Sequence, residues 1–365
     1  MPIQSKYDYK PDYAVHPGEI LEETLDAKGI TKTEFAERCG LSLKTISQII
    51  NGKAPVTAES AIQFERVLGI SSSIWNNLNA NHELFVAKKN EMARLAQGLA
   101  WMKNIPVNEL IRRGIIEKSN NRIEVLQKVL DFFGVGSIEA WETGYKRFEA
   151  AFRQSRSFRS SPGSLLTWLR IGQRLAENMD CAHYGEIEFR KTLNEIRKLT
   201  YDDPSVFESQ MRKRCADCGV LIIFIEELSS IHISGATQWL SKDKALIMLT
   251  LRYKTDDHLW FSFFHEAAHI LLHSKKHIFI DETEMKENEQ ECEADDFARN
   301  FLIPPNEYKP FVEQNKFDSN AIIKFSRKLD IAPGIVVGRL QHDKYISYKW
   351  HNSLKRRFRL VDSTK

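Results

Sequence analysis

The 365-residue sequence predicts a mainly α protein in three parts: an all-α N-terminal domain, a helical connector and an α+β C-terminal domain with a small sheet. Three observations predict it. Apolar residues recur at three- and four-residue steps, with short breaks, from Pro17 through the middle of the chain. After Gly219 the texture changes to continuous apolar runs of strand length. A long apolar helix follows, with two histidines four residues apart. The expected domain boundaries are 1–88, 89–214 and 215–365.

Composition narrows the class. With 42% hydrophobic and 28% charged residues, this is the balance of an ordinary globular protein. No apolar run approaches the roughly 20 residues of a membrane span, and MPIQSKYDYKPDY lacks the apolar core of a signal peptide. Five irregularly spaced cysteines do not form a disulfide framework and fit a reducing cytoplasm. The net charge of +3 argues against nucleic acid until it is divided. Residues 1–80 carry 8 Lys/Arg against 10 Asp/Glu, residues 81–214 carry 23 against 17, and residues 215–365 carry 21 against 22. The middle is therefore basic, which reads as a charged face on solvated helices, with attraction of phosphate backbones as the alternative.

The first helix runs from Pro17 to Gly29 with Ile20, Leu21 and Leu25 on one stripe. Thr31 caps the next, with Glu34 three residues on, and Gly40 ends it. Ser42 caps a third helix carrying Ile46, Ile49 and Ile50 up to Asn51-Gly52, and Thr57 opens a fourth. Two short helices around a glycine turn form a helix-turn-helix unit, whose second helix enters the major groove. Lys44, Thr45 and Gln48 lie on the face that the isoleucines leave free. With Thr31, Ser42 and Lys53 they are the candidate DNA contacts.

The stretch from His16-Pro17-Gly18 to Trp75 resembles the DNA-binding domain of HigA-type antitoxins, within the phage-repressor-like helix-turn-helix family. Leu43 stands where that family commonly has Arg or Lys. The resemblance implies binding of double-stranded operator DNA by a homodimer with two half-sites.

The middle reads as helices broken at Pro106, Gly114, Gly134-Val135-Gly136 and Ser160-Ser161-Pro162-Gly163. Its aromatics, among them Trp101, Trp141 and Trp168, are read as core. Arg147, Arg153, Arg156 and Arg159 form a basic run, read as a solvated helix face with single-stranded nucleic acid as the sharper alternative. Cys215 and Cys218 are read as packing residues, since no second pair completes a zinc site.

VLIIFIEEL, ISGATQWLS and ALIMLTLRY then read as strands, the last two joined by a turn at Lys242-Asp243-Lys244. The helix FSFFHEAAHILLHS carries His265-Glu266-x-x-His269. Residues four apart differ by only about 40° around a helix, so both imidazoles leave one face and can share a zinc ion. Glu266 lies about 100° from His265, where a carboxylate can take a proton from a water that the metal activates. The third ligand decides the class. A metzincin needs a His six residues beyond the second, where Lys275 stands. A gluzincin takes a Glu from a following helix, and EQECEADDFARNFLIPP supplies one. Glu291 and Asp295 share a face, so Glu291 can ligate while Asp295 accepts the N–H of a ligating His. Glu289 and Glu293 lie on other faces than Glu291, and His273, one more turn along the helix, is read as standing behind a ligand or at the surface. His258 and His277 flank the helix. Tyr253 and His232 are alternative donors to an oxyanion.

Gly235, FSFFHEAAHILLH and EADDFARNFLIP resemble the ImmA/IrrE family of bacterial zinc metallopeptidases. The resemblance implies a zincin-like, gluzincin-type fold with Zn2+ held by His265, His269 and Glu291. It also implies Glu266 as general base and Asp295 in place of the commoner Asn behind a ligand. Members cleave repressors or regulators, often after a DNA-damage or foreign-DNA signal.

In the tail, residues 320–346 read as a helix-turn-helix hairpin packed on the peptidase core, a second DNA reader being the alternative. Lys355-Arg356-Arg357-Phe358-Arg359 reads as a mobile basic run that seeks phosphate. The residues around Leu246–Tyr253 are expected to form an exposed strand that holds a peptide. The whole reads as a bacterial cytoplasmic regulator that binds operator DNA and carries a zinc endopeptidase, latent until activated. The expected substrate is a repressor or regulatory protein in a stress, phage or mobile-element response. Single-stranded nucleic acid is a candidate activator and a toxin a candidate partner; no membrane is expected. The alternative is a HigA-like antitoxin whose zinc site is structural or binds a partner.

Overall fold

Local sequence signals set where the N-terminal helices begin and end. The computed structural model describes residues 13–152, 161–229, 231–273, 279–282 and 289–359, with backbone alone at 147–152 and 280–282. The chain divides into two units, Met1–Leu99 and Ala100–Lys365. The first holds α1 (Pro17–Lys28), α2 (Lys32–Cys39), α3 (Leu43–Ile50), α4 (Ala58–Leu68) and α5 (Ser72–Gln97). The Thr31 and Ser42 hydroxyls accept from the Glu34 and Thr45 N–H groups at 3.2 and 3.1 Å, capping α2 and α3. Gly29 and Gly40 end α1 and α2 at φ 64° and 68°. Leu21, Phe35, Ile46, Phe64 and Trp75 are wholly buried and form the core. Gly18 lets α1 cross α3, because a Cβ there would stand 2.2 Å from the Ile49 carbonyl oxygen.

The second unit begins with helices α6 (Val107–Arg112), α7 (Arg122–Phe133), α8 (Ile138–Phe152), α9 (Pro162–Glu177), α10 (Glu186–Lys198) and α11 (Pro204–Ala216). Strands β1 (Val220–Phe224), β2 (Ile233–Ser241) and β3 (Lys244–Leu249) follow, then α12 (Asp256–Leu272) and β4 (Phe279–Glu282). Helices α13 (Glu289–Leu302), α14 (Pro305–Glu313), α15 (Ser319–Leu329) and α16 (Pro333–His342) complete it. The four-stranded sheet has the order β1-β3-β2-β4. β1 runs parallel to β3, while β2 is antiparallel to both β3 and β4.

Both sheet faces are covered, which explains the continuous apolar strands. Alternation along β2 sorts its residues. Gln238 meets Gln173 of α9 at 3.0 Å, whereas Thr237 meets Glu266 of α12. A Cβ on Gly172 of α9 would fall 2.3 Å from the Met248 side chain, so that helix lies close on β3. Beneath the opposite face, Trp260, Phe263, Phe264 and Ala267 of α12 share one core with Phe189, Met211, Ile247 and Val336.

Several expectations differ from this arrangement. The division falls after residue 99, whereas boundaries at 88 and 214 were expected. α5 runs unbroken through residue 88, and α9 to α11 pack on the sheet where a separate connector was expected. β3 is not an exposed strand: it is paired on both sides, and Leu246 to Leu249 are wholly buried. The tail is not a mobile basic run. Lys355 Nζ reaches Asp257 at 2.6 Å, Arg356 donates to the carbonyls of Thr200, Tyr201 and Asp202, and Phe358 is buried. α16 packs on α12 and α15 on α16, with Ile322, Phe325, Val336 and Leu340 in the same core, as one of their two expected readings had it. Cys215 and Cys218 are buried in the same core. Arg153, Arg156 and Arg159 lie outside the described residues, as does the side chain of Arg147.

The Lys355–Asp257 pair has both side chains about nine-tenths buried. Lys355→Met strands the carboxylate and is expected to cost about 3 kcal/mol of unfolding free energy in urea titrations. A loss below about 0.5 kcal/mol would show that water reaches Asp257.

Candidate metal centre

The third and fourth turns of α12 carry the site. His265 Nε2 and His269 Nε2 stand 3.0 Å apart on one face of the helix. α13 lies against α12 and brings Glu291 Oε2 to 3.1 Å from His265 Nε2 and 3.7 Å from His269 Nε2. Three donor atoms thus face one point, and the two rings are almost fully buried. Zinc ligands at about 2.0–2.2 Å in a tetrahedron stand about 3.3 Å from one another. The observed spacing fits such an ion. Two imidazoles and a carboxylate are also the donor types that zinc takes.

Electrostatics prepares the donors. Burial drives the His269 pKa down to about 4, against a weaker upward pull from Glu291. Burial pushes Glu291 upward, but the His265 and His269 imidazoles beside it prevail and hold it at about 2. At neutral pH His269 is uncharged and Glu291 ionised, the states that bind a cation.

The other predicted residues divide into those brought to the site and those left away from it. Asp295 Oδ1 is 2.9 Å from His265 Nδ1, on the side of the ring away from Glu291. Glu266 is wholly buried, and its Oε2 accepts from Thr237 Oγ1 at 2.6 Å. Gly235 is required beside it, since a Cβ would meet Glu266 Oε1 at 2.6 Å. A cleft of about 360 Å³ opens beside His265 and Glu291, lined also by Tyr253, His258 and Phe261. Tyr253 stacks on His258 with ring centroids 4.2 Å apart. His232 does not line this cleft. Glu289 is exposed, and His277 lies outside the described residues.

Sequence reasoning missed two residues, Glu293 and Phe279, and left a third, His273, between a place behind a ligand and the surface. His273 Nδ1 lies 2.8 Å from His269 Nδ1, and Glu293 Oε2 lies 3.1 Å from His273 Nε2. Phe279 of β4 stacks on His269 with centroids 4.2 Å apart. The four-residue step from His269 to His273 was the signal for the first of those two readings. Nothing local shows that Glu293 reaches the end of another helix.

In the first unit, Thr31, Ser42, Lys44, Gln48 and Lys53 are exposed and Thr45 is half-buried. Lys44 and Gln48 are one turn apart on α3, opposite Ile46 and Ile49. Leu43 is 48% exposed at the start of that helix.

Residues 21–75 match the helix-turn-helix family, and residues 215–339 match the IrrE N-terminal-like domain, a peptidase family. The chain joins a helix-turn-helix domain to an IrrE N-terminal-like domain. The Escherichia coli HTH-type transcriptional regulator YddM is 36% identical over 80 residues, 22% of this chain and 85% of its own. Virulence-associated protein I of Dichelobacter nodosus is 30% identical over 81 residues, 22% of this chain and 75% of its own. Among solved structures, an addiction-module antidote protein of the HigA family from Coxiella burnetii is 25% identical. It covers 23% of this chain and 91% of that one, with a TM-score of 0.21. Antitoxin HigA of Pseudomonas aeruginosa, solved with the higBA promoter, is 28% identical, covering 22% and 90% with a TM-score of 0.22. The metal-binding geometry thus lies in the IrrE N-terminal-like domain, and the exposed face of α3 in the helix-turn-helix domain. Among the described residues, no helix is long and apolar enough to cross a membrane.

The depressed His269 pKa has a sign. A neutral imidazole buried in the fold contributes stability above its unfolded value of about 6.5, and that contribution is lost as pH falls through about 4. Metal-free protein should therefore lose melting temperature between pH 6.5 and 4, and His269→Gln should flatten that slope. Equal slopes in the two proteins would refute the assignment. Thr237→Val removes the short hydrogen bond to buried Glu266, with an expected loss of about 2 kcal/mol in chemical denaturation.

Proposed function

We propose that the chain is a bacterial transcriptional regulator whose IrrE N-terminal-like domain is a zinc endopeptidase acting on a repressor or regulatory protein. The observation that carries this reading is the meeting of His265, His269 and Glu291 beside a buried Glu266, at the edge of a cleft. A purely structural site has no use for a wholly buried carboxylate beside its ligands.

When held by His265, His269 and Glu291, zinc supplies a Lewis acid that acidifies water and polarises a carbonyl. Glu266 takes the proton of the attacking water and passes it to the departing amine. Thr237 Oγ1–H fixes the Oε2 edge of that carboxylate. Asp295 orients His265 from behind. Tyr253 is the cleft hydroxyl assigned to the developing oxyanion. β4 takes the role expected of β3: it ends the sheet next to His269, and an extended substrate pairs along it.

In the helix-turn-helix domain α3 is assigned to the major groove of operator DNA, read by a dimer. Lys44 and Lys53 contact phosphates and Gln48 reads a base edge. Thr31, Ser42 and Thr45 add hydroxyl contacts at the helix starts. Exposed Leu43 offers an apolar contact to a thymine methyl where related domains carry a cation.

Glu266→Gln is expected to bind one zinc per chain while losing cleavage of its protein substrate by at least about 100-fold. The checks are metal analysis and single-turnover proteolysis with substrate trapped by the variant in its native cell. A variant that cleaves at the native rate would overturn the mechanism. For DNA, Gln48→Ala should lose about 1–3 kcal/mol of discrimination at one operator position in competition binding. Lys44→Ala should weaken all sequences alike and reduce the salt dependence.

A further inference from the structure

We propose that Glu293 and His273 form a relay that locks His269 in the tautomer able to bind metal. Glu293 Oε2, His273 Nε2, His273 Nδ1 and His269 Nδ1 follow one another at 3.1 and 2.8 Å across the intervening ring. A carboxylate has only acceptors, so the proton between it and His273 sits on His273 Nε2. Two ring nitrogens 2.8 Å apart share one proton, and with the ring's own proton at Nε2 the acceptor of the pair is His273 Nδ1. That nitrogen then accepts from His269 Nδ1–H. His269 Nε2 is thereby deprotonated, and its lone pair faces the point it shares with His265 Nε2 and Glu291 Oε2. Reversing the relay would place a proton on His269 Nε2, inside the metal site.

Geometry supports a fixed relay. His273 is the residue that ends α12, and its N–H still bonds the His269 carbonyl at 3.2 Å, which keeps both rings on one face. Its side chain is 3% exposed, whereas that of Glu293 is 55% exposed. Phe279 lies against both rings, with centroids 4.2 and 5.2 Å away. The two ligating imidazoles are thus held by different means: His265 by one carboxylate, Asp295, and His269 through a second histidine. Glu293 and His273 are positioning residues, since neither reaches the three donor atoms.

The inference rests on the zinc reading above, and the test separates the two. In Glu293→Gln the amide offers both a donor and an acceptor, so the relay loses its direction while the exposed position keeps the fold intact. Nitrogen-15 NMR of the metal-free full chain reads the tautomer of His269. The wild type should show the Nδ1–H form alone and the variant a mixture. Zinc affinity, measured by chelator competition, should fall 10- to 100-fold. An unmoved tautomer, or an affinity within twofold of wild type, overturns the relay. A wild-type chain that takes up no zinc overturns the peptidase reading, whatever the tautomer.

Discussion

A carboxylate with no access to solvent is the costly feature around which the C-terminal unit is built. Glu266 is 0% exposed, and an ionised group in such a place is tolerated only when hydrogen bonds and charges are aimed at it. Thr237 supplies a short donor from the middle of β2, and Gly235 leaves room that any side chain would fill. The register of β2 against β3 and β4 therefore matters to the chemistry. A slip of one residue would turn Thr237 away from Glu266 and present Ala236 or Gln238 instead. The sheet is small, but it fixes the Glu266 carboxylate from one side.

α12 links this constraint to the rest of the fold. One side of the helix packs Trp260, Phe263, Phe264 and Ala267 into the core, and another carries the imidazoles of His265 and His269. Such a helix must be covered on nearly every face, which explains why so much chain surrounds it. Gly334 and Gly338 of α16 approach the first turn closely enough that a Cβ would strike Asp256 or Asp257. The C-terminal residues then close over that turn through Lys355 and Arg356. Burial is also what depresses His269 and keeps it neutral, so packing and ligand chemistry have a common cause.

The two units differ in how local their determinants are. In the helix-turn-helix unit, caps and glycine stops lie within three residues of the ends they control, so α1 to α4 were legible in order. In the IrrE N-terminal-like unit, His265, Glu266 and His269 were legible because helical periodicity alone places them. Glu291 and Asp295 needed one further step, the assumption that a following helix lies against the first. The strand at the sheet edge was misjudged, because an apolar run says that a strand is buried and not which neighbours it has.

The sequence by itself determined the helix-turn-helix grammar, the uneven charge, and a helix with two imidazoles on one face. These are short-range properties, fixed by 3.6-residue periodicity and by capping chemistry. The tertiary structure decided what stands opposite those imidazoles. Crossing of α12 and α13 brings Glu291, Asp295 and Glu293 to three different atoms of the histidine set. β4 adds an aromatic ring against His269, and the terminal basic residues become internal ties. Such contacts join residues from 10 to 98 positions apart, and only the shape of the assembled core selects them.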